Sequence, residues 1–437
     1  LVVSIRLADP APVELARVRL FDLYMSLFAP NPVTNHVVIV DIDEDSLRSA
    51  GQWPWPRSAL ADLVEILAKN GARTVGFDMI FPEPDQVSPV RLAETLDALA
   101  PALRDALSGL GDNDARFAQS MQSVPVVLGY TLRPDIGSGN EIRPPLAGRI
   151  AVRGPASAER IANYPAAVRN IDTLEQGAAG LGLVNALGEP DGIVRRIPLA
   201  LRIDGVLQPS LAAEILRVAQ GRPGLTLHTD RWFGVTGIGF GSWRVPTDER
   251  GRVWINYGAG NPLVTLSAGR LLDGDPSVSA VRDKIVLVGS SALAVGDIWT
   301  VASAEAAPGV QIYARAVNNL ISGAVPTRPG FTLAVELRVV LAAGLSLLWD
   351  MRRRSVQGKL LLFLAFAAAI AAASVAAYAV TWTLFDPTFP VAACLVILLY
   401  LGYRDFLRAE HRLRRSGAFM HRIVDNSFDA ILAVDSA

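Results

Sequence analysis

The chain reads as an α/β domain built on a mostly parallel central sheet, with helices on both faces and β insertions, followed by an α-helical transmembrane segment. Three observations predict this. Val37–Pro84 (VVIVDIDEDSLRSAGQWPWPRSALADLVEILAKNGARTVGFDMIFPEP) supplies an apolar strand, an amphipathic helix and a second apolar strand, the pattern of a right-handed parallel crossover. Far along the chain, Lys284–Val288 (KIVLV) and Gly309–Ile321 (GVQIYARAVNNLI) return to strand and helix. Phe331–Trp349, Leu360–Val380 and Phe385–Tyr403 are each apolar over the roughly 20 residues that span a bilayer.

Composition supports the same division. The 437 residues are 51% hydrophobic and only 19% charged, apolar for a purely soluble protein. A net charge of −1 leaves no basic excess to displace counterions, which excludes a nucleic-acid-binding surface. The single cysteine, Cys394, excludes an intrachain disulfide and a Cys-based zinc site. His36, His228, His411 and His421 are scattered without metal-ligand spacing, and no cofactor is expected.

Taken in order, Leu1–Leu7 (LVVSIRL) is too short to cross a bilayer and reads as the tail of an upstream anchor. Ala11–Phe28 is helical, with Ala16, Leu20, Leu23, Tyr24 and Leu27 on one face, and Pro30 and Pro32 end it. After the first strand, Asp45 or Ser46 caps a short helix that Gly51 breaks, and Ser58–Lys69 forms the crossover helix. Thr74–Phe81 is the second strand, residues 86–123 an interrupted helical stretch, and Val124–Leu132 the third strand. Residues 133–176 read as a long Pro-, Gly- and Arg-rich loop. Gly180–Asn185 and Ile193–Ile203 read as a strand pair about the turn Glu189–Gly192, and Ser210–Gln220 as a short amphipathic helix. Short alternating runs follow from 225 to 257, ending in GRVWINY (Gly251–Tyr257).

The apolar runs force an orientation. Arg352, Arg353, Arg354 and Lys359 lie between the first two, and Arg404, Arg408, Arg412, Arg414 and Arg415 follow the third. The positive-inside rule places those segments in the cytoplasm and residues 1–330 outside. Glu336 and Arg338, near the outer end of the first run, are expected to snorkel. Phe406, Ala409, Leu413, Met420 and Ile423 keep an a/d spacing, which suggests a short parallel coiled coil and hence a homodimer. A solvated basic helix at the membrane face explains the same residues.

Two stretches invite chemistry. Asp41, Asp43, Asp45 and Asp78 are expected at the carboxyl ends of two neighbouring parallel strands, where α/β sheets bind ligands and paired carboxylates can hold Mg²⁺. Caps and loop hydrogen bonds explain them equally, and no nucleophile, base or metal set completes an active site. Trp53-Pro54-Trp55-Pro56-Arg57 makes either an aromatic wall with a guanidinium, suited to an anionic or planar ligand, or a stiff loop covering the sheet. Gly289-Ser290-Ser291 lacks the spacing of a phosphate loop and reads as a plain strand-to-helix turn. Asp43, Trp53, Trp55, Arg57 and Asp78 are the candidate ligand residues; no catalytic or metal residue is expected.

The same residues resemble a family. VDID, GQWPWPR and GARTVGFDMIFPEP are similar to the type-2 CHASE domain, an extracytoplasmic sensory module of bacterial cyclases and histidine kinases. The likeness continues through DGIVRRIPLALRIDGVLQPSLAAEIL (Asp191–Leu216), GRVWINY, RDKIVLVGSSA (Arg282–Ala292) and PGVQIYARAVNNLISG (Pro308–Gly323). Phe419–Asp435 resembles the start of a PAS domain, a helix leading into a strand-like run from Ile431. The resemblance implies an anchor and juxtamembrane helix (1–30), a sensor (31–328), three crossings within 331–403, a linker helix (404–418) and a PAS start (419–437). It also implies a small-molecule or periplasmic ligand and a bacterial inner-membrane receptor. That receptor would be a histidine kinase signalling to a response regulator, or alternatively a diguanylate or adenylyl cyclase, its catalytic domain beyond Ala437. A periplasmic metal-dependent hydrolase using Asp41, Asp43 and Asp78 is the rival reading.

Overall fold

A computed structural model describes residues 10–28, 34–95, 100–133, 150–156, 158–185, 188–258, 262–292, 296–303, 305–350 and 355–435. Two units emerge, one of Val18–Phe331 with Thr381–Leu384, the other of Leu1–Arg17, Thr332–Val380 and Phe385–Ala437. The larger is built on seven strands: β1 (Val37–Ile42), β2 (Thr74–Phe77), β3 (Val126–Arg133), β4 (Ala166–Val168), β5 (Gly180–Leu183), β6 (Val264–Ser267) and β7 (Ile285–Ser290). Their order is β6–β1–β7–β2–β3–β4, with β5 also on β3, and every pair is parallel except β3–β4. The expected crossover joins β1 to β2, yet these strands are not neighbours. β7 lies between them, pairing Val40 with Val288 and Val288 with Phe77.

Alternation along the strands divides the core by face. Val37, Ile39, Ile285 and Leu287 join helices α5 (Leu211–Ala219) and α7 (Gly309–Ser322) below, numbering α1 (Ala11–Leu27), α2 (Glu44–Ala50), α3 (Arg57–Lys69), α4 (Asn113–Ser120) and α6 (Ala268–Leu272) before and between them. Val38, Val40, Ile42, Val286 and Val288 face the opposite way, onto α3, α4 and α6. The strands are buried on both sides, hence their unbroken apolar runs. Two glycines set the approach of the helices. A Cβ on Gly76 would lie 2.3 Å from Ile215 of α5, and one on Gly289 would lie 2.5 Å from Val310 of α7.

Several sequence expectations need correction. Thr74–Phe81 is a strand only to Phe77, because Asp78 leaves the ladder after its N–H reaches Val288 O. The interrupted helical stretch expected over 86–123 is borne out: its described residues form the helices Pro89–Thr95, Pro101–Ser108 and α4. The loop expected over 133–176 carries β4, the strand Ala151–Arg153, the pair Asn163–Tyr164 and a helix, Asp172–Gly177; residues 134–149 lie outside the described residues. Gly180–Leu183 does not pair with 193–203. Its glycines face α5, where a Cβ on Gly182 would meet Leu211 Cα at 2.5 Å, so β5 lies under that helix and against β3 instead. Ile193–Ile203 splits into three short strands that pair with Ile298–Val301, Arg252–Trp254 and Val206–Pro209.

The split brings Arg195 into the interior, 0% exposed. Its Nε meets both Asp22 oxygens at 3.0 and 2.9 Å, and Nη1 meets Glu189 at 3.1 Å. Nη1 and Nη2 also take Asp191 in a fork at 2.9 Å each. Arg196 adds Glu189 at 2.6 Å and stacks 4.8 Å from the Trp254 ring. Burial raises the Asp22 pKa to about 6 although Arg195 pulls it down.

In the second unit α8 (Phe331–Asp350), α9 (Val356–Thr381) and α10 (Thr388–Asp435) follow. Gln357–Thr381 and Thr388–Arg414 are long and apolar enough to cross a membrane by length and composition. The third apolar run continues into the linker helix expected after Tyr403, and the two form one helix of 48 residues. The strand expected from Ile431 is helical through Asp435: no strand among the described residues pairs with it, whereas a helix satisfies its backbone internally. Glu336 does not snorkel. It is buried and accepts the Asp386 N–H at 2.9 Å, with Arg17 3.8 Å from the Asp386 carboxylate.

Arg195→Leu is expected to destabilise the protein by about 3–5 kcal/mol, because three carboxylates lose the one cation they share. Thermal unfolding of the purified chain measures it, and an unchanged midpoint would reject a structural role for this cluster.

Candidate functional site

The carboxylates that end β1 are consumed locally. Asp41 Oδ1 accepts the Ser291 N–H at 2.8 Å and Oδ2 accepts the Ser291 hydroxyl at 2.6 Å, and burial still raises its pKa. Asp43, rather than Asp45 or Ser46, caps α2. Its Oδ1 accepts from Ser46 N at 2.8 Å, Ser46 Oγ at 2.6 Å and Ser267 Oγ at 2.9 Å, which together outweigh burial and lower its pKa. Asp45 is exposed and pairs with Arg48.

The tryptophan-proline stretch divides. Trp55 is 1% exposed and donates Nε1–H to Gly51 O at 2.8 Å. Arg57 is also buried. Its backbone N–H meets Asp85 at 2.8 Å, its Nε lies 3.6 Å from Asp114, and its guanidinium sits 4.5 Å from the Phe81 ring centre. Both therefore hold the loop. The Arg57 guanidinium is turned inward onto Asp114 and Phe81, so it is not the anion-binding group the sequence suggested.

Trp53 and Asp78 alone of the five candidates meet at a cavity, of about 350 Å³, at the carboxyl ends of β7 and β2. Asp297, Trp299 and Tyr313 join them, with Thr131 and Ser290 beneath. β7 separates Asp78 from Asp41 and Asp43, so the expected cluster of carboxylates does not form. Among the described residues no group of three His, Cys, Asp or Glu side chains is placed to hold a metal ion.

The chemistry of the cavity follows from its walls. Burial, reinforced by the nearby Asp297 charge, pushes the Asp78 carboxyl up to about 7. The Tyr313 hydroxyl is buried with no hydrogen-bond partner among the described residues, and burial with the Asp78 charge raises its pKa. Gly309 opens α7 against the carboxylate: a Cβ there would lie 3.2 Å from Asp78 Oδ2. Two acids, two indoles and an orphaned hydroxyl make an electronegative, aromatic-walled recess.

The family model for the CHASE2 domain matches residues 1–349. The chain belongs to the CHASE2 family. Domains of this family are extracytoplasmic sensory modules of signalling receptors, and the apolar helices that follow this one are consistent with a membrane protein. No curated protein and no solved structure matches the chain. Within the CHASE2 domain, Asp297, Trp299 and Tyr313 escaped the sequence reading. Tyr313 sits on a helix whose periodicity signals core, and Asp297 and Trp299 follow a turn with no motif of their own.

Asp78 sets a pH dependence. The folded chain keeps this proton to about pH 7 while the unfolded carboxyl loses it near 3.8, so stability falls as pH rises through that interval. Asp78→Asn, which cannot ionise, is expected to gain about 2 kcal/mol over the parent between about pH 5 and pH 8, allowing for solvent screening at this half-buried group. Unfolding midpoints at the two pH values check it; a constant difference sinks the assignment.

Proposed function

We propose that this chain is the extracytoplasmic sensing and transmembrane input module of a bacterial receptor histidine kinase, working as a homodimer in the inner membrane. The observation that carries the reading is the Asp78 recess in a CHASE2 domain that precedes apolar helices. Its ligand is a small organic cation: the indoles of Trp53 and Trp299 offer cation–π faces, and Asp78 and Asp297 offer charge. Binding draws Asp78 into its ionised form and shifts the balance between two packings of the dimer. A complete switch from 1:99 to 99:1 would need about 5.5 kcal/mol of differential affinity, and partial switching less.

The basic residues between α8 and α9 and along α10 support a cytoplasmic C-terminus, with α8, α9 and the start of α10 as three crossings. The kinase output rests on the sequence of Phe419–Asp435 alone, which resembles the start of a PAS domain although its expected strand is helical here. Phosphotransfer then runs to a response regulator.

Choline is the probe for the recess. It is expected to raise the unfolding midpoint of the purified chain, more at about pH 8 than at about pH 5, and Trp53→Ala or Asp78→Asn should remove the effect. A shift that survives both substitutions assigns the binding elsewhere. For topology, a reporter active only outside the cytoplasm should work when fused at residue 200 and fail after residue 418; the reverse pattern rejects the orientation. Autophosphorylation of the complete receptor from ATP tests the output, and formation of a cyclic nucleotide instead would make it a cyclase.

A further inference from the structure

A second cavity, of about 400 Å³, lies elsewhere in the sensory unit and shares no lining residue with the Asp78 recess. Asp22, Met25 and Ser26 of α1, Tyr257, Glu305 and Arg315 of α7 surround it. Two of its groups lack partners. Arg315 is half-buried and makes no hydrogen bond or ion pair among the described residues; its guanidinium stands 5.9 Å from the Tyr257 ring centre. The Tyr257 hydroxyl is buried without a hydrogen-bond partner. Leaving a cation and a hydroxyl unsatisfied costs stability, unlike Arg195, whose guanidinium is held by three carboxylates. Burial depresses the Arg315 pKa, although the neighbouring Glu305 opposes this.

We propose that this cavity binds a free amino acid or a zwitterion of that size, its carboxylate held by the Arg315 guanidinium and the Tyr257 hydroxyl. The planar fork of an arginine matches a carboxylate in two parallel hydrogen bonds, and a hydroxyl donor beside it takes a remaining lone pair. Glu305 and Asp22 face the same space, where they receive the ammonium group and repel a dianion such as phosphate. Met25, Pro262 and Ala302 supply apolar wall for the remainder of the ligand. This goes beyond the cation-sensing reading: the site uses different residues and the opposite charge, so one can fail while the other stands.

The test is isothermal titration of the purified full chain in detergent with each of the common L-amino acids, with propionate, and with inorganic phosphate. At least one amino acid is expected to bind, and propionate at least about 10-fold more weakly than alanine or the best binder, as one charge-assisted contact implies. Arg315→Met should weaken the best binder about 10- to 100-fold and Tyr257→Phe somewhat less. The ligand-free Arg315→Met protein should unfold at the parental temperature or above, since the charge removed has no partner; a lower midpoint would mark a structural arginine and overturn the proposal. Binding of no amino acid, affinity for phosphate or propionate equal to that for amino acids, or amino-acid binding unaffected by Arg315→Met would each overturn it too.

Discussion

The sheet of the sensory unit closes only when Ile285–Ser290 inserts between two strands that the chain made more than 200 residues earlier. That strand carries hydrogen bonds on both edges and side chains on both faces, and it is buried throughout. Ser290 Oγ reaches Ile42 O at 2.8 Å, Ser291 ties off Asp41, and Val288 O takes the Asp78 N–H at 2.8 Å. The strand thus neutralises one carboxylate of the opening stretch and leaves another facing the recess. Its own Gly289 lets α7 descend onto the sheet, which brings Tyr313 to the first cavity and Arg315 to the second. A long-range strand of this kind carries a large loop-closure entropy, so the core on either side of it must form together with it.

Buried charge is used in two different ways. Around Arg195 every cation has its anion, and the cluster joins α1, the turn at Glu189–Asp191 and the β insertion. Such a cluster specifies geometry more than it adds stability. Asp78, Tyr313, Arg315 and Tyr257 break that rule inside cavities, where water and ligand can reach the opening of the pocket. Desolvated groups without partners in a concave site are where a ligand gains most from binding.

Much of the architecture was legible in the chain itself. The apolar runs at Val37–Val40 and Lys284–Val288 declare strands covered on both faces, and the periodicity of Ser58–Lys69 and Gly309–Ile321 declares the helices that cover them. The long apolar runs of α9 and α10 are visible because the length and purity that a bilayer demands can both be counted in the sequence. Pairing was less legible. Gly180–Leu183 has a plausible partner close in sequence, yet its alternating glycines answer to α5, and nothing local says so. The candidate site divided for the same reason: Trp53, Trp55 and Arg57 alternate along one five-residue stretch, but only Trp53 lines the recess.

What the sequence determined alone is the strands and helices of the sheet's opening and closing units, the family and the residue types available for binding, because periodicity and motif order are local properties. The stretch from Val37 to Pro84 could therefore be recognised as the first unit of the domain without knowing its neighbours. Tertiary structure decided which carboxylate stays available, since that depends on what lies beside it. Asp41 and Asp43 meet serines contributed from 224 to 250 residues away, and Asp78 meets Asp297 and Tyr313 instead. Strand order is a contest among long-range pairings, and no single window of the chain contains its result.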